Sequence, residues 1–76
     1  MKIDQDLEII FERVLKTNIE QIKSWSYDSV PIWDSLAQVA LVLEIEEHFE
    51  ILIDPEKIPF LESFEDFEIL VKEMIE

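Results

Sequence analysis

Apolar residues recur along this chain at the spacing of helices. Ile3, Leu7, Ile10, Phe11 and Val14 fall at i, i+4, i+7, i+8 and i+11, one face of a first helix. Asp4, Asp6 and Glu8 sit near its start and Arg13 and Lys16 near its end, so both termini complement the helix dipole, and Thr17-Asn18 marks the exit. Over residues 17–34 no helical or strand period persists, and Trp25, Tyr27, Pro31 and Trp33 alternate with serine and aspartate. The pattern predicts a long loop, with a short helical turn over 19–23. Loops beyond about 12–15 residues are uncommon in compact domains unless they carry function, and three large aromatics predict that this one packs onto the helices.

A second main helix is predicted over 35–51. Its entry reads as a capping box, Asp34-Ser35 with Gln38 three residues after the serine. Leu41, Ile45 and Phe49 form a core stripe with Val42 and Leu52 beside it. Leu36, Val39 and Leu43 repeat on another side, so the first turns are apolar over more surface than one small core covers, and part of this row is expected in solvent. Asp54-Pro55 reads as an N-cap with proline at the first helical position, and Pro59 limits this short helix to about one or two turns. Ser63 with Asp66 resembles another capping box, opening a last helix whose Phe67, Leu70, Val71 and Met74 fall at i, i+3, i+4 and i+7. The expected fold is all-α: a small four-helix bundle of three main helices plus one short helix, with a long first loop, forming a single domain over residues 1–76.

Composition narrows what such a bundle can do. A chain of 76 residues buries only about 60% of its unfolded surface, which allows one modest core. Cysteine is absent, which excludes disulfides, thiol nucleophiles and thiolate metal sites, and nothing points to an oxidising compartment. Glycine is absent too, which excludes glycine-rich phosphate loops and dinucleotide fingerprints, because a Cβ obstructs the backbone approach they need. The longest apolar run, residues 39–43, is far short of the roughly 18 residues of a membrane span, and the first residues lack the shape of a signal peptide. A cytoplasmic protein is expected. Six basic residues against nineteen acidic ones leave a net charge of −13, which repels nucleic acid and anionic membranes alike. With 49% hydrophobic residues, five Phe and two Trp among them, the chain is nonetheless expected to fold.

The stretch that carries chemistry is Val30-Pro31-Ile32-Trp33-Asp34-Ser35-Leu36. It resembles the phosphopantetheine attachment motif of acyl and peptidyl carrier proteins, whose core is Asp-Ser-Leu at the start of the second helix. The resemblance extends over nearly the whole chain: helix, long loop, Asp-Ser-Leu, an acidic helix ending in Glu46-Glu47-His48-Phe49, short helix, closing helix. It implies the acyl-carrier type of bundle and a discrete, monomeric carrier that is not an enzyme and needs no metal. It implies that Ser35 is esterified with 4′-phosphopantetheine by a phosphopantetheinyl transferase using coenzyme A, with Asp34 helping to position the serine or the transferase's metal ion. An acyl or aminoacyl group would then ride on the arm as a thioester. The further implied partners are an acyl- or aminoacyl-loading ligase and synthase or transferase enzymes with basic docking patches. Apart from the resemblance, a helix N-terminus offers a phosphodiester unpaired N–H groups and a partial positive charge. The arm's thiol supplies thioester chemistry that a cysteine-free chain lacks. A serine here also serves simply as a helix cap, and the two roles are compatible.

No Lys or Arg lies between Ser24 and Glu56, a region holding Asp28, Asp34, Glu44, Glu46, Glu47, Glu50, Asp54 and Glu56. Acids near a helix C-terminus oppose its dipole at about 0.3–1 kcal/mol each. The region therefore reads as a docking surface for basic partners, or as a solvated face kept charged for solubility. Typical fatty-acid carriers often have acids soon after Asp-Ser-Leu, where this chain has Ala37 and Ala40, and Gly or Ala is common where it has Trp33. These departures point to a specialised pathway. They make Leu36, Val39 and Leu43 the expected contacts near the arm, with Glu46 and Glu47 steering from further along. Trp33 equally suits packing of the loop onto the bundle. His48, the lone histidine, lacks companion ligands and is expected to be structural or at the surface, and residues 54–65 lack the pattern of a calcium-binding loop. The residues also permit a second reading, an unmodified acidic helical adaptor or nucleic-acid mimic that binds a basic protein.

Overall fold

The computed structural model describes residues 3–75 and consists of α1 (Ile3–Leu15), α2 (Ile19–Ile22), α3 (Ser35–Phe49), a 3-10 helix (Pro55–Phe60) and α4 (Phe64–Ile75). The described chain is all-α, with an isolated antiparallel bridge between Ser26 and Ser63. Among the described residues no helix is long and apolar enough to cross a membrane.

Three helices pack around α1: α2, α3 and α4. The face read from periodicity points inward, with Ile3, Leu7, Ile10 and Phe11 buried, Val14 half-buried and Leu15 completing it. The Phe11 ring meets Trp33, Phe64 and Phe67 edge to face at centroid separations of 5.7, 5.0 and 5.2 Å. These are the T-shaped arrangements that aromatic quadrupoles favour. Because Phe11 lies against Phe64 and Phe67 while Asp4 lies against Lys72, α4 runs antiparallel to α1.

The segment before α3 is more ordered than its lack of periodicity implies. Asn18 caps α2, its side chain accepting from the Gln21 N–H at 3.1 Å, and Glu12 Oε2 accepts from the Ile19 N–H at 2.9 Å. Further on, the Asp28 N–H donates to the Trp33 carbonyl at 2.9 Å and the Tyr27 N–H to the Glu62 carbonyl at 2.7 Å. The three aromatics do not share one fate. Trp33 is fully buried and Trp25 packs half-buried against the core, so the loop packs onto the helices as expected, while Tyr27 is 38% exposed. Its ring borders a surface groove with Ile58 and Pro59, where the phenol can keep water as its hydrogen-bond partner.

At the start of α3 the cap is an aspartate. Asp34 is extended and its side chain accepts from the Ala37 N–H at 2.9 Å. Gln38 instead turns inward, where its Oε1 accepts from Trp33 Nε1 and its Nε2 donates to the Leu61 carbonyl, both at 2.8 Å. The capping box expected from Ser35 and Gln38 is thus replaced by a cap one residue earlier. Gln38 satisfies an indole N–H and a carbonyl that would otherwise be stranded in apolar surroundings. Leu41, Val42 and Ile45 are buried and Phe49 is half-buried, as the stripe predicts. Leu52 is exposed, contrary to expectation, because the helix ends at Phe49 and the chain turns at Glu50 before Leu52 can extend its face; Ile53 enters the core instead.

With no glycine in the chain, left-handed residues at helix ends are Lys16 and Glu50, each at φ 56°. The Glu50 and Ile51 N–H groups both reach the Glu46 carbonyl and close α3. The short predicted helix is of 3-10 type, capped by Asp54, with Pro55 at its start and Pro59 inside it. α4 opens at Ser63, whose Oγ accepts from the Asp66 N–H at 3.2 Å as predicted, although Asp66 returns its carboxylate to the Glu62 N–H. Phe64, Phe67, Leu70 and Val71 are buried. Met74 is exposed, against the periodicity, while the next residue, Ile75, packs against the core. Nearby, Lys72 Nζ lies 2.9 Å from Asp4 Oδ1 and 3.8 Å from Glu68 Oε2. The Lys72 contact holds Asp4 below its ordinary carboxylate value, and the hydrogen bond shared with Asp4 pushes Glu68 above its own.

Candidate functional site

Ser35 is the first residue of α3 and is exposed. Since Asp34 provides the cap, the Ser35 hydroxyl makes no hydrogen bond to any described residue. The Ser35 and Leu36 N–H groups likewise have no acceptor among the described residues, as first-turn amides lack an intrahelical partner. An uncommitted hydroxyl thus sits at the positive end of a 15-residue helix beside two open donors. An anion attached to that oxygen would be stabilised there.

The platform beneath the serine is tied to the core by residues two back and three ahead. Trp33 fills the core and donates to Gln38, which in turn donates to Leu61 at the end of the 3-10 helix. The loop, α3 and the 3-10 helix are tied together directly under the exposed Asp34-Ser35 pair. Trp33 accordingly has a packing role. Gln38, which the sequence presents as half of a capping box, supports the site; its signal is an uncharged polar residue within the apolar Leu36–Leu43 row.

The apolar row lies in solvent, with Leu36 79%, Val39 55% and Leu43 59% exposed. Val39 and Leu43 also border a groove of about 280 Å³ between α3 and the 3-10 helix, whose other walls include Ile53 and Ile58. Covering these side chains would remove apolar surface from water at roughly 25 cal/mol per Å².

The acidic surface divides in a way the sequence does not display. Arg13 of α1 pairs with Glu44, its Nε 3.1 Å from Oε1. The Glu46 carboxylate, half-buried, accepts from the Ile53 N–H at 2.8 Å and so braces the turn after α3. His48 Nε2 lies 3.0 Å from Asp6 Oδ2, a surface contact joining α3 to α1. Glu47 is exposed and has no partner among the described residues. Of the expected steering pair, Glu47 is available to a partner, while Glu46 already has an internal task. Among the described residues no group of three or more His, Asp or Glu is placed to hold a metal ion.

No protein-family model, curated protein or solved structure matches the chain.

Proposed function

We propose that this chain is an acyl carrier protein of the four-helix type, holding an acyl or aminoacyl group on a 4′-phosphopantetheine arm at Ser35 for the partner enzymes of a specialised, cytoplasmic biosynthetic pathway. The observation that carries this reading is the Ser35 oxygen, exposed at the mouth of α3 and uncommitted because its neighbour performs the capping. A serine kept for capping would have that oxygen engaged by a backbone N–H.

The residues fit the group. In the attachment step a P–O bond forms to Ser35 Oγ as the pyrophosphate linkage of coenzyme A breaks, the adenosine bisphosphate half departs, and the hydroxyl proton passes to a base on the transferase. The open N–H groups of Ser35 and Leu36 would stabilise the resulting phosphodiester. Asp34 uses Oδ1 for the Ala37 N–H, which leaves Oδ2 for the serine or for the transferase's metal ion. When bound, the arm supplies a thiol on which cargo is carried as a thioester. The chain's own contribution is presentation. Leu36, Val39 and Leu43 offer an apolar contact beside the arm and Glu47 one charge for a basic patch, so recognition by the loading ligase and by synthase or transferase partners is mainly hydrophobic near Ser35.

Incubation with coenzyme A and a broad-specificity phosphopantetheinyl transferase, read by intact-mass spectrometry, tests this. One phosphopantetheine is expected on the native chain and none on Ser35→Ala. An unchanged native mass beside a positive-control carrier would reject the carrier reading in favour of an unmodified acidic adaptor.

A further inference from the structure

The 3-10 helix and α4 leave a second groove, of about 260 Å³, that shares no residue with the one beside α3. Its floor includes Leu61, Leu70, Phe60 and Ile69, of which Phe60 is 76% and Ile69 52% exposed. The rim is charged. Glu73 and Asp66 stand on the α4 side, seven residues and hence about two turns apart, Asp66 keeping Oδ1 for a guest while its Oδ2 accepts from the Glu62 N–H, and Lys57 stands on the 3-10 side. Neither Glu73 nor Lys57 has an ion-pair partner among the described residues, although the chain is rich in acids that a lysine could have met.

We propose that this groove docks an amphipathic helix from a basic partner protein, with apolar side chains on Phe60 and Ile69 and Lys or Arg residues two turns apart against Asp66 and Glu73. Charge selects the occupant. At a net charge of −13 a second copy of the chain is repelled, and so is an acidic peptide. Spacing selects its shape. A helix presents cations at i and i+7 on the same face as apolar residues at i+3 and i+4, the complement of the Asp66, Ile69, Leu70, Glu73 row on α4. Lys57 on the opposite rim would meet an acid on the far edge of the guest helix and so set its direction. The inference does not depend on whether Ser35 is modified.

The test is a titration of the isotope-labelled full chain with a synthetic helical peptide of about four turns, leucine along one face and arginine at i and i+7, followed by amide chemical shifts. Shifts are expected on residues 57–61 and 66–73. Phe60→Ser, at an exposed position that the fold does not need, is expected to weaken binding about tenfold, and Glu73→Gln about threefold. The same peptide with glutamate in place of arginine should not bind. A shift map spread over Asp28, Glu47 and Glu50, or affinity unchanged by Phe60→Ser, would reduce the effect to general charge attraction and overturn the proposal. Sedimentation showing a native dimer that Phe60→Ser dissociates would overturn it too, by assigning the groove to a second copy.

Discussion

Gln38 satisfies two buried groups at once, the Trp33 indole N–H and the Leu61 carbonyl, three residues from a serine whose hydroxyl bonds no described residue. Gln38→Leu keeps the volume but strands both partners, so urea denaturation is expected to show a loss of about 2–4 kcal/mol. Ser35→Ala, by contrast, should stay within about 0.5 kcal/mol of the native chain. Equal stability of native and Gln38→Leu proteins would mean that the network under the site is not what holds it. Asp34 can be divided in the same way, because asparagine caps about as well as aspartate whereas alanine costs about 1 kcal/mol. If Asp34 serves attachment, Asp34→Asn keeps the melting temperature and slows phosphopantetheine transfer in a mass-spectrometric time course. Unslowed transfer would leave Asp34 a cap alone.

At the scale of elements, α3 carries the load of both packing and display, and its two ends show the difference. Its C-terminus closes on Glu50 in a left-handed conformation that costs a non-glycine residue about 1–2 kcal/mol, and a negative charge there also opposes the helix dipole. Glycine relieves both but is more flexible when unfolded, so Glu50→Gly is expected to stabilise by about 0.5–1 kcal/mol, seen as a rise of a few degrees in thermal melts. Lower melting would contradict the strain assigned to Glu50. The pair Glu46 and Glu47 separates bracing from display. Glu46→Lys breaks the bond to the Ile53 N–H and should lower stability by about 1 kcal/mol. Glu47→Lys should leave stability unchanged and slow association with a cognate enzyme at low salt. Stopped-flow rates that do not respond to Glu47→Lys would remove electrostatic steering from this surface.

For the molecule as a whole, the balance of charge decides stability. A net charge of −13 on so small a body favours expansion, and added salt should raise the melting temperature by screening it. The Asp4–Glu68–Lys72 cluster gives this a pH dependence. Glu68 binds its proton more tightly when folded, so its contribution is complete below its ordinary value of 4.5 and is lost as pH rises through the elevated folded value. Asp4 runs the other way, complete above 3.8 and lost as pH falls through its lowered folded value. Stability should therefore peak in mildly acidic solution and decline toward neutrality as Glu68 ionises beside Asp4. Glu68→Gln, which is always neutral, should flatten that decline and melt higher at neutral pH. A pH profile unchanged by this substitution would place the dependence elsewhere.

Periodicity in the chain is enough to locate the three main helices, because burial on one face leaves a repeat that survives in one dimension. The inward faces of α1 and α3, the proline-limited 3-10 helix and the Ser63 cap all follow from local spacing and local hydrogen bonding. The Asp-Ser-Leu stretch and the exposed Leu36, Val39 and Leu43 row were equally legible, since each lies within two turns of one helix. What tertiary structure alone decided are the matters that depend on residues far apart in the chain. Arg13 neutralises Glu44 across a region of single sign in sequence, and the Ile53 N–H commits Glu46 inward without removing its charge. Leu52 leaves the core because α3 has already ended and the chain turns to send Ile53 inward, and Met74 is exposed while Ile75 packs against the core. Gln38 turns inward and leaves the cap to Asp34, since a buried tryptophan from the loop needs its oxygen. Spacing along a chain determines which faces can be apolar; which polar groups remain free for a partner is settled when distant segments meet and satisfy one another.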